Sequence, residues 1–476
     1  MDARVETDSR VFQFDSLEED ALEVLLLIRS WKNRIAPINR IPPEILSTVP
    51  DFLDIFHRDQ GVITLTHVCR AWREVFVSRP SLWTYIDCLD SEQSHVYLER
   101  SGSSPIDLSL RSDLFDGLEF IPGATGRLKS LDIDVRPEDL QLISNYLCRP
   151  APLLEVLSIR SHRWPVLPPS LLNGDLSSLH KLRLEYIRTE LPWRNMVNLR
   201  SFTLRGTLLS VSLGQLVDFF ESAPHLREVD IISSNPIPGT RNGRLVLMAC
   251  LQRMDTSGHS SSHLFDHLLI PVGARLAMGV DRLPHPSIEG RRLRFLDNLG
   301  NLSDFTTIKL FCRPACMEVS GPNGAVRMVS REHRGPSLLE SLALFDTSKT
   351  ERLELECDEH ESNDTIYQAL LPMKNLHTLK INFDATTEFT LGALNPDFSS
   401  SGAVACPRLE ELVIVAYRKF YFKQVVLMAE ARASGGMKLK AVTIVMEQPE
   451  VVLPQLDVLE LEKHVLRVVF DKLAGK

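Results

Sequence analysis

The sequence predicts an α/β chain: a small all-α bundle near its start, then a long irregular region in which strands alternate with helices. Two observations carry this. Residues 39–86 read as short helices punctuated by prolines, and from Leu128 onward the pattern L-x-x-L-x-[LI] returns many times with helical stretches between copies. At 476 residues the chain is also too long for one ordinary core, so several domains or a repeat array are expected.

Apolar residues at 44% and charged residues at 24% are ordinary globular values, which argues against wholesale disorder. The formal net charge of -9 argues against a nucleic-acid partner, which needs a basic face to meet phosphates. The segment MDARVETDSR is acidic with no apolar stretch behind a basic region, so no secretory signal is expected. Val24 to Ile28 is far shorter than the ~20 apolar residues of a membrane span, so no membrane is expected. Eight scattered cysteines do not form the disulfide framework of a small secreted protein. The expectation is a cytoplasmic or nuclear protein with reduced thiols.

Residues 1–38 divide into a polar tail over 1–15 and an amphipathic helix. Leu17, Ala21, Val24, Leu25 and Ile28 recur at helical spacing, with Trp31 following. Glu18, Glu19 and Asp20 crowd the first turn, and Arg29, Lys32 and Arg34 the last, which suits the helix dipole; Pro37 ends it. The expectation is that its apolar face packs on its own protein, the alternative being a docking helix for a partner.

Residues 39–86 predict three helices. Pro42 and Pro43 suit a helix start, Glu44 favours the positive end of the dipole, and Ile45, Leu46 and Val49 make one apolar face. A second piece spans Phe52 to Phe56 after Pro50. A third runs from about Val62 through Val77 and stops at Arg79-Pro80, because a residue before proline is pushed out of the α region. Leu82 and Trp83 then fold back onto the bundle.

From about Tyr85 the character changes. In 101–111 a Gly/Ser turn and a proline precede alternating Ile106, Leu108 and Leu110, a strand signal. The leucine pattern then appears from Leu128, Leu154, Leu179, Leu199, Leu226, Leu339, Leu376, Leu409 and Leu439. The first five copies are spaced by 26, 25, 20 and 27 residues, within the 20–29 of leucine-rich repeats. The residue after the first leucine is polar in nearly every copy (Lys129, Glu155, His180, Arg200, Arg227, His377, Glu410). One strand and one return helix cannot bury their apolar faces alone, so stacking into a leucine-rich-repeat-like solenoid over 87–476 is expected. The x of L-x-L would then face the concave side: Asp132, Ser158, Arg183, Thr203, Asp230, Lys380 and Val413 are the candidate target-binding residues. The period is lost between Ile232 and Phe305, a hairpin is expected around Asn323-Gly324, and no clear copy carries the Asn or Cys that normally follows. The array should therefore be irregular around 233–336.

Within 39–86 three motifs occur in order: Pro42-Pro43-Glu44-Ile45-Leu46, Val68-Cys69-Arg70-Ala71-Trp72-Arg73 and Pro80-Ser81-Leu82-Trp83. Together they resemble an F-box, and the repeats behind them make the chain similar to the fungal (basidiomycete) F-box family. The resemblance covers about a tenth of the sequence. It implies a non-catalytic substrate-recognition subunit of a cullin–RING (SCF-type) ubiquitin ligase. The F-box would dock a Skp-type adaptor, and through it a cullin, while the repeats bind an unknown target protein. Pro42, Pro43, Ile45, Leu46 and Val49 would lie in the adaptor groove, joined by Val68, Cys69 and Trp72. Ile41 stands where the family usually has leucine. Pro50 stands where its first helix usually continues, and a proline inside a helix costs ~3 kcal/mol, so that helix should break at Val49. The alternative is a repeat scaffold without ligase function, whose helical bundle caps the solenoid.

Other constellations carry less. His259, His263 and His267 are spaced for one helical face near Asp266, but Gly258 and the serines of 260–262 are poor helix formers, and Phe265, Leu268 and Ile270 fit a repeat strand. Cys312, Cys316, Cys357 and His360 contain ligand types for zinc, yet Pro314 lies within the first pair, and bystander thiols are the expected reading. Asp132 and Asp134 share a strand face without a histidine or glycine loop tied to them, which suits a solvated strand better than acid–base chemistry. The patterns G-x-G-x-x-G, G-x-x-x-x-G-K-[ST], G-x-S-x-G and H-E-x-x-H are missing, and the N-x-[ST] sites at Asn301 and Asn363 mean nothing without secretion. No enzyme activity, cofactor or metal is expected.

Overall fold

A computed structural model of the chain describes residues 2–52, 58–87, 91–111, 121–134, 136–167, 171–174, 176–189, 196–206, 212–232, 244–260, 262–280, 299, 305–312, 315–322, 324–330, 339, 342, 345–356, 362–383, 390–398, 403–416, 422–446 and 455–472. The protein is mixed α/β and forms two compact units, Met1–Val156 and Leu157–Lys476.

The first unit opens with helix α1 (Asp2–Ile35). The sequence reads 1–15 as a tail, but the helix begins at Asp2; nothing before Leu17 is a glycine or proline, so the helix has no breaker to stop it. Its side chains from Leu17 to Ile35 are all exposed, so the apolar face expected to pack on the protein stands open. A 3-10 turn, Pro37–Arg40, leads into the single-turn helix α2 (Pro43–Leu46) and a second 3-10 turn, Val49–Phe52. The first helix of the bundle therefore ends three residues before Val49. Pro50, buried in the 3-10 turn, needs no backbone donor there. Of the segment expected over Phe52–Phe56, residues 53–56 lie outside the described residues. The single third helix expected over 62–77 is two: α3 (Arg58–Thr66) and α4 (Arg70–Val77). The break falls at Cys69, which is fully extended (φ -161°, ψ 173°), and Thr66 turns its hydroxyl back onto the Ile63 carbonyl at 2.7 Å. Pro80 acts as expected: α4 ends before Arg79, whose φ and ψ of -106° and 97° are extended.

Strands β1 (Tyr85–Asp87), β2 (Ile106–Arg111) and β3 (Leu128–Asp134) follow, paired in parallel in that order. Helix α5 (Ser91–Arg100) crosses between the first two and closes on Gly102, whose φ of 57° suits a residue without Cβ. Ile86, Ile106, Leu108, Leu110, Leu131 and Ile133 of these strands are all buried.

The boundary between the units falls within β4 (Val156–Arg160). The short strands β5 (Val166–Leu167) and β7 (Arg188–Thr189) pair with one another, as do β10 (Val246–Leu247) and β12 (Leu268–Leu269). The remaining strands are β6 (Lys181–Glu185), β8 (Ser201–Arg205), β9 (Glu228–Ile232), β11 (Arg253–Ser260), β13 (Arg275–Val280), β14 (Thr307–Cys312), β15 (Ala315–Gly321), β16 (Gly324–Ser330), β17 (Arg352–Glu356), β18 (Thr378–Phe383), β19 (Glu411–Ala416), β20 (Ala441–Met446) and β21 (Arg467–Lys472). They form one large, mostly parallel sheet in the order β6-β8-β9-β11-β13-β16-β15-β14-β17-β18-β19-β20-β21. Among the described residues only β15 runs against the others.

The leucine pattern explains this order. The first leucine of eight copies (Leu128, Leu154, Leu179, Leu199, Leu226, Leu376, Leu409, Leu439) is at most 3% exposed and turns the chain into its strand. The polar residue after it extends the ladder: Arg200 N–H donates to the His180 carbonyl at 2.8 Å, Arg227 to Arg200, Glu410 to His377 and Lys440 to Glu410; Gln252, after Leu251, does the same to Arg227. Helix Leu213–Ser222 starts with a Ser212/Gln215 capping box, and helix Asn363–Leu370 with Ser212's counterpart Ser362, both in stretches the sequence reads as helical.

Two departures matter. The pairing does not lapse after Ile232, since β11 and β13 continue it, with Met254 and Met278 buried where the pattern expects leucine. The copy from Leu339 is not a strand among the described residues. Leu339 and Leu342 are buried outside the sheet, and the strand is Arg352–Glu356. The hairpin expected at Asn323-Gly324 is β15–β16; Gly324 has φ 113°, and a Cβ there would come 2.5 Å from the Ala274 carbonyl oxygen.

Candidate functional site

Two surfaces hold the candidate residues. The first lies on residues 37–83 of the first unit. Asn39 ties the start of this segment to α4: its Oδ1 accepts from Trp72 Nε1 at 2.6 Å, and its Nδ2 donates to the Asn33 carbonyl at 2.7 Å. Trp72 is 8% exposed and meets Phe76 edge-on at 5.8 Å. Arg79 donates to the Ser47 carbonyl, joining the end of α4 to the end of α2.

These ties sort the eight candidate residues. Leu46 and Trp72 are buried in the chain's own core, and Val49 and Cys69 are half-buried. Pro42, Pro43, Ile45 and Val68 are exposed, Ile45 at 59%. Ile38 and Phe52, outside the expected set, are exposed too. Phe52 was legible as an apolar residue beside Pro50, but whether it faced in or out depends on the 3-10 turn. The result is a helical segment with a fixed core and open apolar side chains around it.

The second surface is the polar face of the large sheet in the second unit. Register places Arg183, Thr203, Asp230, Asp255, Ala277, Arg327, Glu318, Lys309, Glu354, Lys380, Val413, Thr443 and Val469 in one line across it. Arg183, Thr203, Asp230 and Lys380, widely separated in sequence, thus share a row. Ser158 is half-buried on β4. Asp132 belongs to the first unit, in register with Ser109 and Asp87. There, burial pushes the Asp87 carboxyl above its ordinary value; Arg111 opposes this and Asp132 adds to it.

The row is charged at its middle and neutral at the β19–β21 end. Lys380 and Lys309 both reach Glu354, the latter at 3.9 Å. At the β6 end Glu185, 6% exposed, accepts from Arg160 Nε at 2.7 Å and from Arg183 at 2.9 and 2.7 Å. Arg205 reaches Asp230 at 2.6 Å, and this hydrogen bond holds its guanidinium above the ordinary arginine value. The pairs that Lys309 and Lys380 make with Glu354, through lysines still 39% exposed, contribute about 0–1 kcal/mol each, so an incoming charged partner can exchange them at little cost, unlike those on buried Glu185. The sequence reading missed Lys309 and Glu354, although both stand as x in an apolar-x-Leu alternation, Ile308-Lys309-Leu310 and Leu353-Glu354-Leu355. Requiring a leucine three residues earlier hid them.

Burial disfavours the charged form of Glu185, but the hydrogen bonds from Arg183 and Arg160 outweigh it and hold the carboxyl below its ordinary value. A depressed carboxylate stabilises the fold at pH values above its unfolded pKa, about 4.3, and that contribution disappears as the pH falls through the folded value. Glu185→Gln is therefore expected to cost roughly 1–2 kcal/mol at pH 7, moderated because the arginines reach water. The difference from wild type should shrink as the pH falls below about 4.3, as urea denaturation at pH 7 and at successively lower pH would show.

Among the described residues no group of acids, cysteines and histidines is arranged to hold a metal ion. The three histidines do not share a helix: His259 lies on β11, His263 on a short helix, and buried His267 in a turn, where its Nδ1 is 3.1 Å from the Arg244 carbonyl. Cys316 is buried, while Cys357 and His360 lie outside the described residues. No described helix is long and apolar enough to cross a membrane. Comparison with protein-family models and with curated proteins returns no match.

Proposed function

We propose that the chain is a substrate-recognition subunit of a cullin–RING ubiquitin ligase, residues 39–86 acting as an F-box on a Skp-type adaptor and the repeat region capturing a target protein. One observation carries the reading: Pro42, Pro43, Ile45, Phe52 and Val68 are open on a segment whose core is closed by Leu46, Trp72 and Phe76. Exposed apolar side chains on a helical segment that closes its own core suit a docking face. The sheet's polar row, with exchangeable ion pairs and a neutral end, suits a folded or extended protein ligand.

Co-purification with the Skp adaptor tests this. Charges at Leu46 or Trp72 would break the fold and prove nothing, so the informative variants are at exposed positions. Ile45→Glu combined with Val68→Glu is expected to weaken adaptor binding by a hundredfold or more, about 3 kcal/mol, with circular dichroism unchanged. A folded wild-type chain that does not bind the adaptor would end the proposal.

One observation favours the scaffold alternative. Trp83, at the end of the helical segment, is fully buried against Tyr97 of α5, ring centroids 4.9 Å apart, so this segment also covers the first strand–helix turn of its own unit. The same co-purification separates the two.

A further inference from the structure

We infer that α1 pairs antiparallel with α1 of a second copy of this chain. Leu17, Val24, Ile28, Trp31 and Ile35 are 53–72% exposed on a continuous helix, with Leu25 and Leu27 also open. Leu17, Ala21, Val24, Ile28, Trp31 and Ile35 follow one another by alternating steps of four and three, the spacing of a two-helix seam.

The charge pattern names the occupant and its direction. Glu18, Glu19, Asp20 and Glu23 occupy the first half of the stretch, and Arg29, Lys32 and Arg34 the second. A parallel pair would set acid beside acid and base beside base. An antiparallel pair centred near Leu26 sets Leu17 against Ile35 of the second copy, Val24 against Ile28, and the small Ala21 against the large Trp31. In the same register Glu18 flanks Lys32, Asp20 flanks Arg34, and Leu25 and Leu27 each meet their own copies at the centre. Every seam layer and every flanking pair is complementary under one arrangement. The inference does not rest on the adaptor reading.

Sedimentation of the intact chain at micromolar concentration is expected to give twice the chain mass. Lys32→Glu alone should raise the dissociation constant about tenfold or more, because Glu18 then faces an acid at both ends of the pair. Glu18→Lys combined with Lys32→Glu should restore it to near the wild-type value, which only the antiparallel register allows. A monomeric intact chain would overturn the inference, and so would a double variant that stays as weak as the single one while circular dichroism shows the same helix content. A monomer whose α1 binds lipid vesicles or an unrelated protein instead is the first of these outcomes.

Discussion

Arg432→Ala is expected to destabilise the second unit by about 3–5 kcal/mol, a large fraction of what a domain has. Arg432 lies on the helix Phe422–Ser434 and is fully buried. No carboxylate meets it among its described contacts; it donates instead to the carbonyls of Leu394, Ala405 and Cys406 at 3.2, 3.3 and 2.8 Å. Burial lowers its pKa, but an arginine has far to fall before it loses its proton. Alanine would take a donor from each of those carbonyls, Cys406 keeping the Leu409 N–H at 3.1 Å, and open a cavity as well. Arg432→Met separates the two effects. It refills most of the volume and removes the cost of burying a charge, so its penalty should be closer to 1–2 kcal/mol. Chemical denaturation of both variants checks the order; equal penalties would mean that the carbonyl bonds, not the volume, dominate. The Cys406 thiol beside it, pushed by burial to about 12, should stay unreactive toward thiol reagents in both.

This arginine also marks where the sequence stops being readable. In FKQVVLMAEARAS it looks like one more polar residue of a solvent face, and its partners come from segments 26 to 38 residues away. The strands were legible because their signal is local: alternation together with a leucine that turns the chain into each strand. Where methionine replaced leucine, at Met254 and Met278, the alternation persisted, but the search pattern did not see it. The break at Cys69 was not legible either. It depends on an extended backbone at one residue inside a run of good apolar spacing.

Of the candidate residues, the sheet row was read best. Period two puts Arg183, Thr203, Asp230 and Lys380 each on the same face of its strand, and ladders that stay in register at these positions, through the antiparallel β15 as well, set them in one line. The helical segment was harder, because a one-turn helix has no reliable face. Ile45 and Leu46 are neighbours of the same chemical type, yet one is 59% exposed and the other 4%. What distinguishes them is the packing of α4 against α2 and the Arg79 bond to Ser47, neither of which a local pattern contains.

Trp83→Ala is expected to cost the first unit about 3–5 kcal/mol. The indole is fully buried, donates to the Phe76 carbonyl at 2.9 Å, stands edge-on to Tyr97, and carries the Arg100 guanidinium 4.3 Å above its ring. Trp83→Phe keeps an aromatic face for Tyr97 and Arg100 but removes the indole's bond to the Phe76 carbonyl, leaving it the longer one from the Arg79 N–H at 3.4 Å, so a loss of about 1–2 kcal/mol is expected. The comparison bears on function, because Tyr97 and Arg100 lie beyond residue 86. A fragment ending there would expose Trp83 and could fail to bind an adaptor merely by unfolding. In the intact chain, Trp83→Phe should leave adaptor binding within about threefold of wild type, since Ile45 and Val68 are untouched. If it instead abolishes binding while the fold survives, the adaptor contact depends on the Trp83 end of the segment, and the docking face proposed around Ile45 is wrong.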